Sequence, residues 1–202
     1  MILSANQPAY LPWRPYFDRI ENSDLHIVLD HVQFEKGSFT NRTRIQLPDG
    51  RLTWLTVPVE KRKTIAETRI VGDKWRKKHM ETLIQTFSSP ERGWRHHKYG
   101  LIPILADYPL LGDFLHVSLT CLLRELHINT RIMCSSDLQI SGKGSQWLLN
   151  ACKTLSANTY LSGPLGRDYL EVKEFEREGI EVRFHDYEPP DPPVSVLHEL
   201  FR

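Results

Sequence analysis

Residues 145–187 read SQWLLNACKTLSANTYLSGPLGRDYLEVKEFEREGIEVRFHDY, and this stretch decides the fold class. SQWLLNACKTL carries its apolar residues at helical spacing, and NTYLSG is a short β-prone run. DYLEVKEFEREG is helical again, and IEVRFHDY returns to a strand. With TRIMCSS (130–136) as the preceding strand, strands and helices alternate, which is the pattern of βαβ units and a parallel sheet.

Working outward, the first residues, MILSA (1–5), read as a buried strand, RPYFDRIENSD (14–24) as a helix with Tyr16, Phe17 and Ile20 on one side, and LHIVLDHVQF (25–34) as a second strand. The class is therefore α/β: a mainly parallel sheet, with strands near residues 2, 27, 132, 160 and 182, and flanking helices. Between its second and third strands lies inserted material. TNRTRIQLPDGRLTWLTVPVE (40–60) alternates on both sides of Pro48-Asp49-Gly50, as a β-hairpin does. TIAETRIV (64–71) reads as a further strand. From Asp73 the chain turns helical: DKWRKKHMETLIQTF places Trp75, Met80, Leu83, Ile84 and Phe87 on one face, ERGWRHHKYGLIPILADY reads as two short helices broken at Pro103, and GDFLHVSLTCLLRELH places Leu115, Leu119, Leu122, Leu123 and Leu126 together. EPPDPP (188–193) is a breaker, and VSVLHELF a short terminal helix. The expected organisation is a single α/β domain over 1–202, with a β-rich part (1–72), a helical insertion (73–130) and a βαβ part (131–202).

At 202 residues, 40% hydrophobic and 25% charged, the composition is that of a globular protein with a real core. Lys and Arg number 26 against 25 Asp and Glu. This near-neutral balance argues against a nucleic-acid partner, in spite of the basic clusters at 59–63 and 75–79. No apolar run reaches the roughly 20 residues needed to cross a bilayer, and no signal peptide opens the chain. Three cysteines, Cys121, Cys134 and Cys152, form no CxxC pair, so a cytoplasmic location with reduced thiols is expected.

Ligands of open α/β sheets sit beyond the carboxyl ends of the strands. The segments there are NQPAYLPW, DHVQF, SSDLQISGKGS and LSGPLGRDY, all expected around one crevice. Pro8, Pro12 and Pro15 stiffen the first of them, so that Gln7, Tyr10 and Trp13 stand on a rigid support, whether for a ligand or for packing against the sheet. Asp30, at the end of the second strand beside His31, is the acid/base candidate, with Gln33 close by. Asn41 precedes Arg42 and Arg44, which share one face of a strand, and paired guanidiniums suit a phosphate or carboxylate. Tyr10 and Trp54 are candidate stacking walls, and the Ser162-Gly163 turn is expected to contact substrate.

No motif names a cofactor. SGKGS lacks the G-x-x-x-x-G-K-[ST] spacing, and LSGPLGRDYL is not G-x-G-x-x-G. His96 and His97 have no acidic or cysteine partner at ligand spacing, so no metal site is expected. Cys134 and Ser135 sit at a strand end without the G-x-S-x-G elbow of a nucleophile. Nothing in the sequence fixes an oligomeric state. The remaining reading is an anionic small molecule handled by a transferase, or by a non-catalytic ligand-binding protein that accompanies one.

Taken together, QPAYLPWRPYFDRIENSD, VLDHVQFEKGSFTNRTRI, WLTVPVE, WRKKHMETL, YLSG with DYL, and FEREGIEVRFHDYE resemble the WbqC-like family over nearly the whole chain. The resemblance implies a bacterial or archaeal cytoplasmic protein linked to cell-surface polysaccharide (O-antigen) biosynthesis, with glycine or aminoacyl transfer as a suggested chemistry. Two departures stand out. Arg14-Pro15 precedes the Tyr16-Phe17 pair where the family has glycine, and the short EPPDPP replaces a stretch with tyrosine, glutamine and phenylalanine. The opening strand, loop and helix also look like the start of nucleotidylyltransferase-type folds, without their H-x-G-H histidines.

Overall fold

The computed structural model describes residues 1–60, 63–87, 106–188 and 191–201. The described chain forms two compact units, each discontinuous in sequence: residues 1–7, 15–29 and 129–188 form the first, and 8–14, 30–128 and 189–202 the second. The boundary at 128/129 lies beside the expected one at 130, and residue 72 falls inside the second unit.

In the first unit, five strands are all parallel: β1 (Ile2–Asn6), β2 (Leu25–Val28), β5 (Arg131–Cys134), β6 (Thr159–Ser162) and β7 (Glu181–Phe184), in the order β5-β2-β1-β6-β7. They lie where the sequence placed them. Residues of β1 alternate between two covered faces. Leu3 and Ala5 join Leu25, Ile27 and Tyr160 in a core closed by α4 (Gly144–Thr154) and α5 (Val172–Arg177), through Trp147, Leu148, Ala151 and Phe175. Continuous burial of β2 and β6 is what a parallel sheet covered on both sides requires.

The other face of β1 carries Ser4, which pairs in register with His26 of β2. It belongs to a buried polar chain with α1 (Arg14–Glu21) and the turn after it. Ser4 Oγ lies 2.8 Å from His26 Nδ1 and 2.7 Å from Ser23 Oγ, and Ser23 Oγ donates to the Arg19 carbonyl at 2.7 Å. Each hydrogen is used once if His26 Nδ1–H leads the chain and the Arg19 carbonyl ends it. Burial, reinforced by the Arg19 charge, lowers the His26 pKa to about 3, so the ring is neutral at ordinary pH.

In the second unit, β3 (Arg42–Gln46) and β4 (Leu52–Thr56) form the antiparallel hairpin, Arg44 opposite Trp54. Gly50 holds φ +84° in its turn, a conformation that favours glycine. Thr43, Ile45 and Leu55 face inward, while Leu52, Trp54 and Thr56 face out. TIAETRIV forms no full strand; its backbone makes isolated bridges, Gln33 with Thr64, Val59 with Ile70 and Arg69 with Leu110. A run without a continuous partner strand cannot satisfy its backbone groups in a ladder.

Among the described residues of this unit are two longer helices, α2 (Lys74–Phe87) and α3 (Leu111–Glu125), and the short α6 (Leu197–Leu200). The buried face of α3 includes Leu115, Leu119, Leu122 and Leu123, as the spacing predicts. On α2 the buried residues are Trp75, His79, Leu83, Thr86 and Phe87, while Ile84 is exposed. Trp75, Leu83 and Phe87 are buried as expected, while His79, whose imidazole pairs inside, takes the place expected for Met80. The two short helices broken at Pro103, with His96 and His97, fall mostly outside the described residues. Among the described residues, no helix is long and apolar enough to cross a membrane.

Candidate functional site

The hairpin unit holds most of the predicted site residues. The proline-rich segment is tied to the hairpin by its backbone: Tyr10 N–H donates to the Phe39 carbonyl at 3.1 Å, the Thr43 hydroxyl to the Leu11 carbonyl at 3.0 Å, and Val196 N–H to the Pro12 carbonyl at 2.8 Å. Leu11 holds φ +45°, which is costly for a residue with a branched side chain. These three bonds and full burial of the leucine hold it there. The prolines therefore stiffen a segment that is already pinned.

Tyr10 is only 1% exposed. Its ring stacks on His79 at 5.6 Å and tilts against Phe114 at 5.6 Å, and its hydroxyl lies 2.9 Å from His79 Nδ1. It offers no open ring face, so a stacking wall at this position is replaced by a packed ring. Burial lowers the His79 pKa to about 4, the Lys78 charge adds to this, and a hydrogen bond to the Thr56 backbone opposes it. A neutral imidazole can then accept from the Tyr10 hydroxyl. The sequence hid this pair, because a histidine inside the basic run WRKKH reads as a surface residue.

Trp54 does present an open face, being 42% exposed, and Phe39, 54% exposed, tilts against it at 5.7 Å. The Arg42 guanidinium carbon lies 4.2 Å from the Trp54 ring centroid and that of Arg44 5.4 Å. Cation–π contact at such exposed places contributes about 0.5–1 kcal/mol. Arg42 also donates through Nη2 to the Gly37 carbonyl. The Nε atoms of both arginines are shut off from solvent without a hydrogen-bond acceptor. Among the described residues, neither guanidinium has a carboxylate within 4.0 Å. Two cations and two partly exposed aromatic rings, Trp54 on β4 and Phe39 just before β3, thus lie together.

The neighbouring candidates divide by burial. Asn41 is buried and spends its amide on the Val57 carbonyl at 2.7 Å, a structural tie between the ends of the hairpin. Gln33 is exposed and donates to the Lys63 carbonyl at 2.9 Å. Asp30 is 6% exposed, and its backbone carbonyl accepts from Ala66 N–H at 2.9 Å. Burial lowers the pKa of the adjacent His31, and the Asp30 charge opposes that effect.

Gln7, Ser162 and Gly163 belong to the sheet unit. There, the half-buried Gln7 directly follows β1, and Ser162-Gly163 ends β6, the neighbour of β1. The Ser162 hydroxyl is buried and donates to the Gly163 carbonyl at 3.1 Å, so the turn presents backbone rather than a free hydroxyl. A residue the sequence reading passed over lies here. Arg19 of α1 spans Gly163 so closely that a Cβ on that glycine would collide with Nη1. The only sequence signal for it is the glycine itself.

Among the described residues, no group of three or more His, Cys, Asp or Glu side chains could hold a metal ion. Burial raises the Cys152 thiol to about 12 and also raises Cys121, so neither is an activated nucleophile.

The WbqC-like protein family model matches residues 7–195. The uncharacterised protein Rv1507c of Mycobacterium tuberculosis (strain ATCC 25618 / H37Rv) is 32% identical over 219 residues, spanning 96% of this chain and 90% of that protein. No solved structure matches. On this extent of similarity, following nearly the whole order of strands, loops and helices described above, the chain belongs to the WbqC-like protein family.

Proposed function

We propose that this protein is a cytoplasmic small-molecule transferase acting on an anionic, ring-bearing substrate in the synthesis of cell-surface polysaccharide, with glycine or another aminoacyl group as a candidate for transfer. The observation that carries the anionic part is the face made by Arg42, Arg44, Trp54 and Phe39, where two guanidiniums without carboxylate partners lean on an open indole. A nucleotide sugar suits such a face: a flat base can stack on the ring while phosphates take bidentate bonds from the arginines. In the hairpin unit Asp30 is the acid/base candidate and Gln33 a candidate for orienting the acceptor; in the sheet unit Gln7 and the Ser162-Gly163 turn are separate candidates for substrate contact. The polysaccharide role and the aminoacyl chemistry come from the family resemblance.

A second reading is a ligand-binding protein without turnover, favoured by the thiols of Cys121 and Cys152 being held in their protonated form. A thermal-shift screen with nucleotide sugars, nucleotides, acyl-CoAs and amino acids tests both. A ligand at 100 times its dissociation constant stabilises the protein by about 2.7 kcal/mol. Stabilisation by a nucleotide sugar that Arg42→Ala and Arg44→Ala abolish, with product formed in a donor–acceptor mixture, supports the transferase. Stabilisation without product in every mixture supports the binding protein. Unchanged affinity in the double variant removes the hairpin face from either reading.

A further inference from the structure

We infer that the carboxyl edge of the parallel sheet carries a second oxyanion site, built on Arg19, for the phosphate or carboxylate group of a small molecule. The inference uses none of the hairpin residues and does not depend on transfer chemistry.

The order β5-β2-β1-β6-β7 fixes the place. The chain runs outward from β1 through β2 to β5, then returns to the far side of β1 as β6 and β7. Its direction of travel reverses between β1 and β6, and open α/β sheets bind ligands in the crevice beyond the carboxyl ends at that reversal. Gly163 follows β6 at this point, and Arg19 lies across it. With a hydrogen in place of a side chain, Gly163 lets the guanidinium approach the strand end.

Among the described residues, Arg19 has no carboxylate partner. Its Nε is shut off from solvent with no acceptor. A guanidinium does not escape such a position by losing its proton. Burial raises Tyr16, Tyr160, Tyr169 and Tyr187, and the Arg19 charge pulls each back down, while the same charge helps keep His26 neutral. Placement in the last turn of α1 suits a cation, because the helix dipole is negative there. That explains why the cation is tolerated, but not why it reaches over the glycine at the strand end. A guanidinium with an unused Nε, set over the glycine that ends β6, is a group that binds an oxyanion.

Thermal shift and isothermal calorimetry with inorganic pyrophosphate and, separately, malonate test the site and distinguish phosphate from carboxylate. The wild-type protein is expected to respond to one of them. Arg19→Met should lose at least about tenfold in affinity for it, and should melt no lower than wild type, because an unpaired cation has been removed. Arg19→Gln, similar in length and uncharged, should behave the same way. Arg42→Ala/Arg44→Ala should keep the response, which separates this site from the hairpin face. The inference is overturned by a wild-type protein that responds to neither anion, by Arg19→Met or Arg19→Gln binding as wild type does, or by loss of the response in the hairpin double variant alone. Failure of both Arg19 variants to fold would make the side chain a structural tie and overturn it equally.

Discussion

Each unit pairs some buried polar groups internally and leaves arginine Nε atoms without an acceptor, but the two differ in what lies against those arginines. The sheet unit closes polar groups on one another: Ser4, Ser23 and His26 form a chain beneath α1 that leaves the imidazole neutral. The hairpin unit does the same once, with Tyr10 and His79, but turns its arginines outward onto an indole. An aromatic face partly offsets the cost of a poorly solvated guanidinium. Among the described residues, no cation–π contact is seen for Arg19.

The largest test of the comparison is mechanical. Phe175 in the sheet unit and Phe114 in the hairpin unit are both fully buried. Each change to alanine should cost about 3–5 kcal/mol, read as a shift in urea midpoint. A markedly smaller cost for one would show that its unit relaxes around the cavity and that the two cores are not equally well packed.

Acid should strike both units through their neutral histidines. His79 has a folded pKa of about 4 and His26 of about 3, both below the usual 6.5. Above pH 6.5 neither contributes a slope. As pH falls from 6.5 toward 4 the unfolded chain takes up protons that the folded chain refuses, so stability falls by about 1.4 kcal/mol per pH unit for each ring. The His26 contribution continues to about pH 3. Denaturation curves across this range should lose one proton's worth of slope in His79→Gln; an unchanged slope would mean that this ring is already charged when folded.

Glycines sharpen the contrast at a smaller scale. A Cβ on Gly112 would sit 2.8 Å from the Ala66 Cα, a backbone atom that cannot swing aside. Gly112→Ala should therefore cost about 1–3 kcal/mol. Gly163→Ala meets only the far end of Arg19, which can move, so its cost should stay below about 1 kcal/mol. Equal losses in melting temperature would mean that Arg19 is locked, contrary to a side chain held ready for a ligand.

The smallest effects separate packing from binding within the hairpin unit. Tyr10→Phe removes the hydroxyl facing His79 and should cost about 1–2 kcal/mol. Trp54→Ala should change stability by only about 0.5 kcal/mol, yet abolish the response to any stacking ligand. The opposite ranking in a melting experiment would make Trp54 the structural ring.

The five parallel strands were legible because buried strands of a parallel sheet are short apolar runs between helices with a 3.6-residue period. The outward face of the hairpin was legible too, since Arg42, Arg44 and Trp54 follow a two-residue alternation that a PDG turn keeps in register. What escaped were roles set by tertiary partners. Tyr10 reads as a ligand platform until Phe114 and His79 cover it. Met80 and Ile84 read as core, but His79, with a hydroxyl to bond, takes the inward place on α2. Arg19 is one more charged residue on a helix unless Gly163 is known to lie beneath it.

The parallel pairing of β1 with β6 has a consequence for the order of assembly. Ile2 finds Thr159 in register, and Leu25 finds Arg131. Both pairings close loops of roughly a hundred residues or more, where the entropy of bringing ends together is paid before any contact rewards it. During synthesis, β1 and β2 can meet early, but the gap beside β1 must wait for β6. The edge that carries Gly163 is thus among the last surfaces to exist, and a nascent chain stalled before residue 159 would display β1 with one side unpaired.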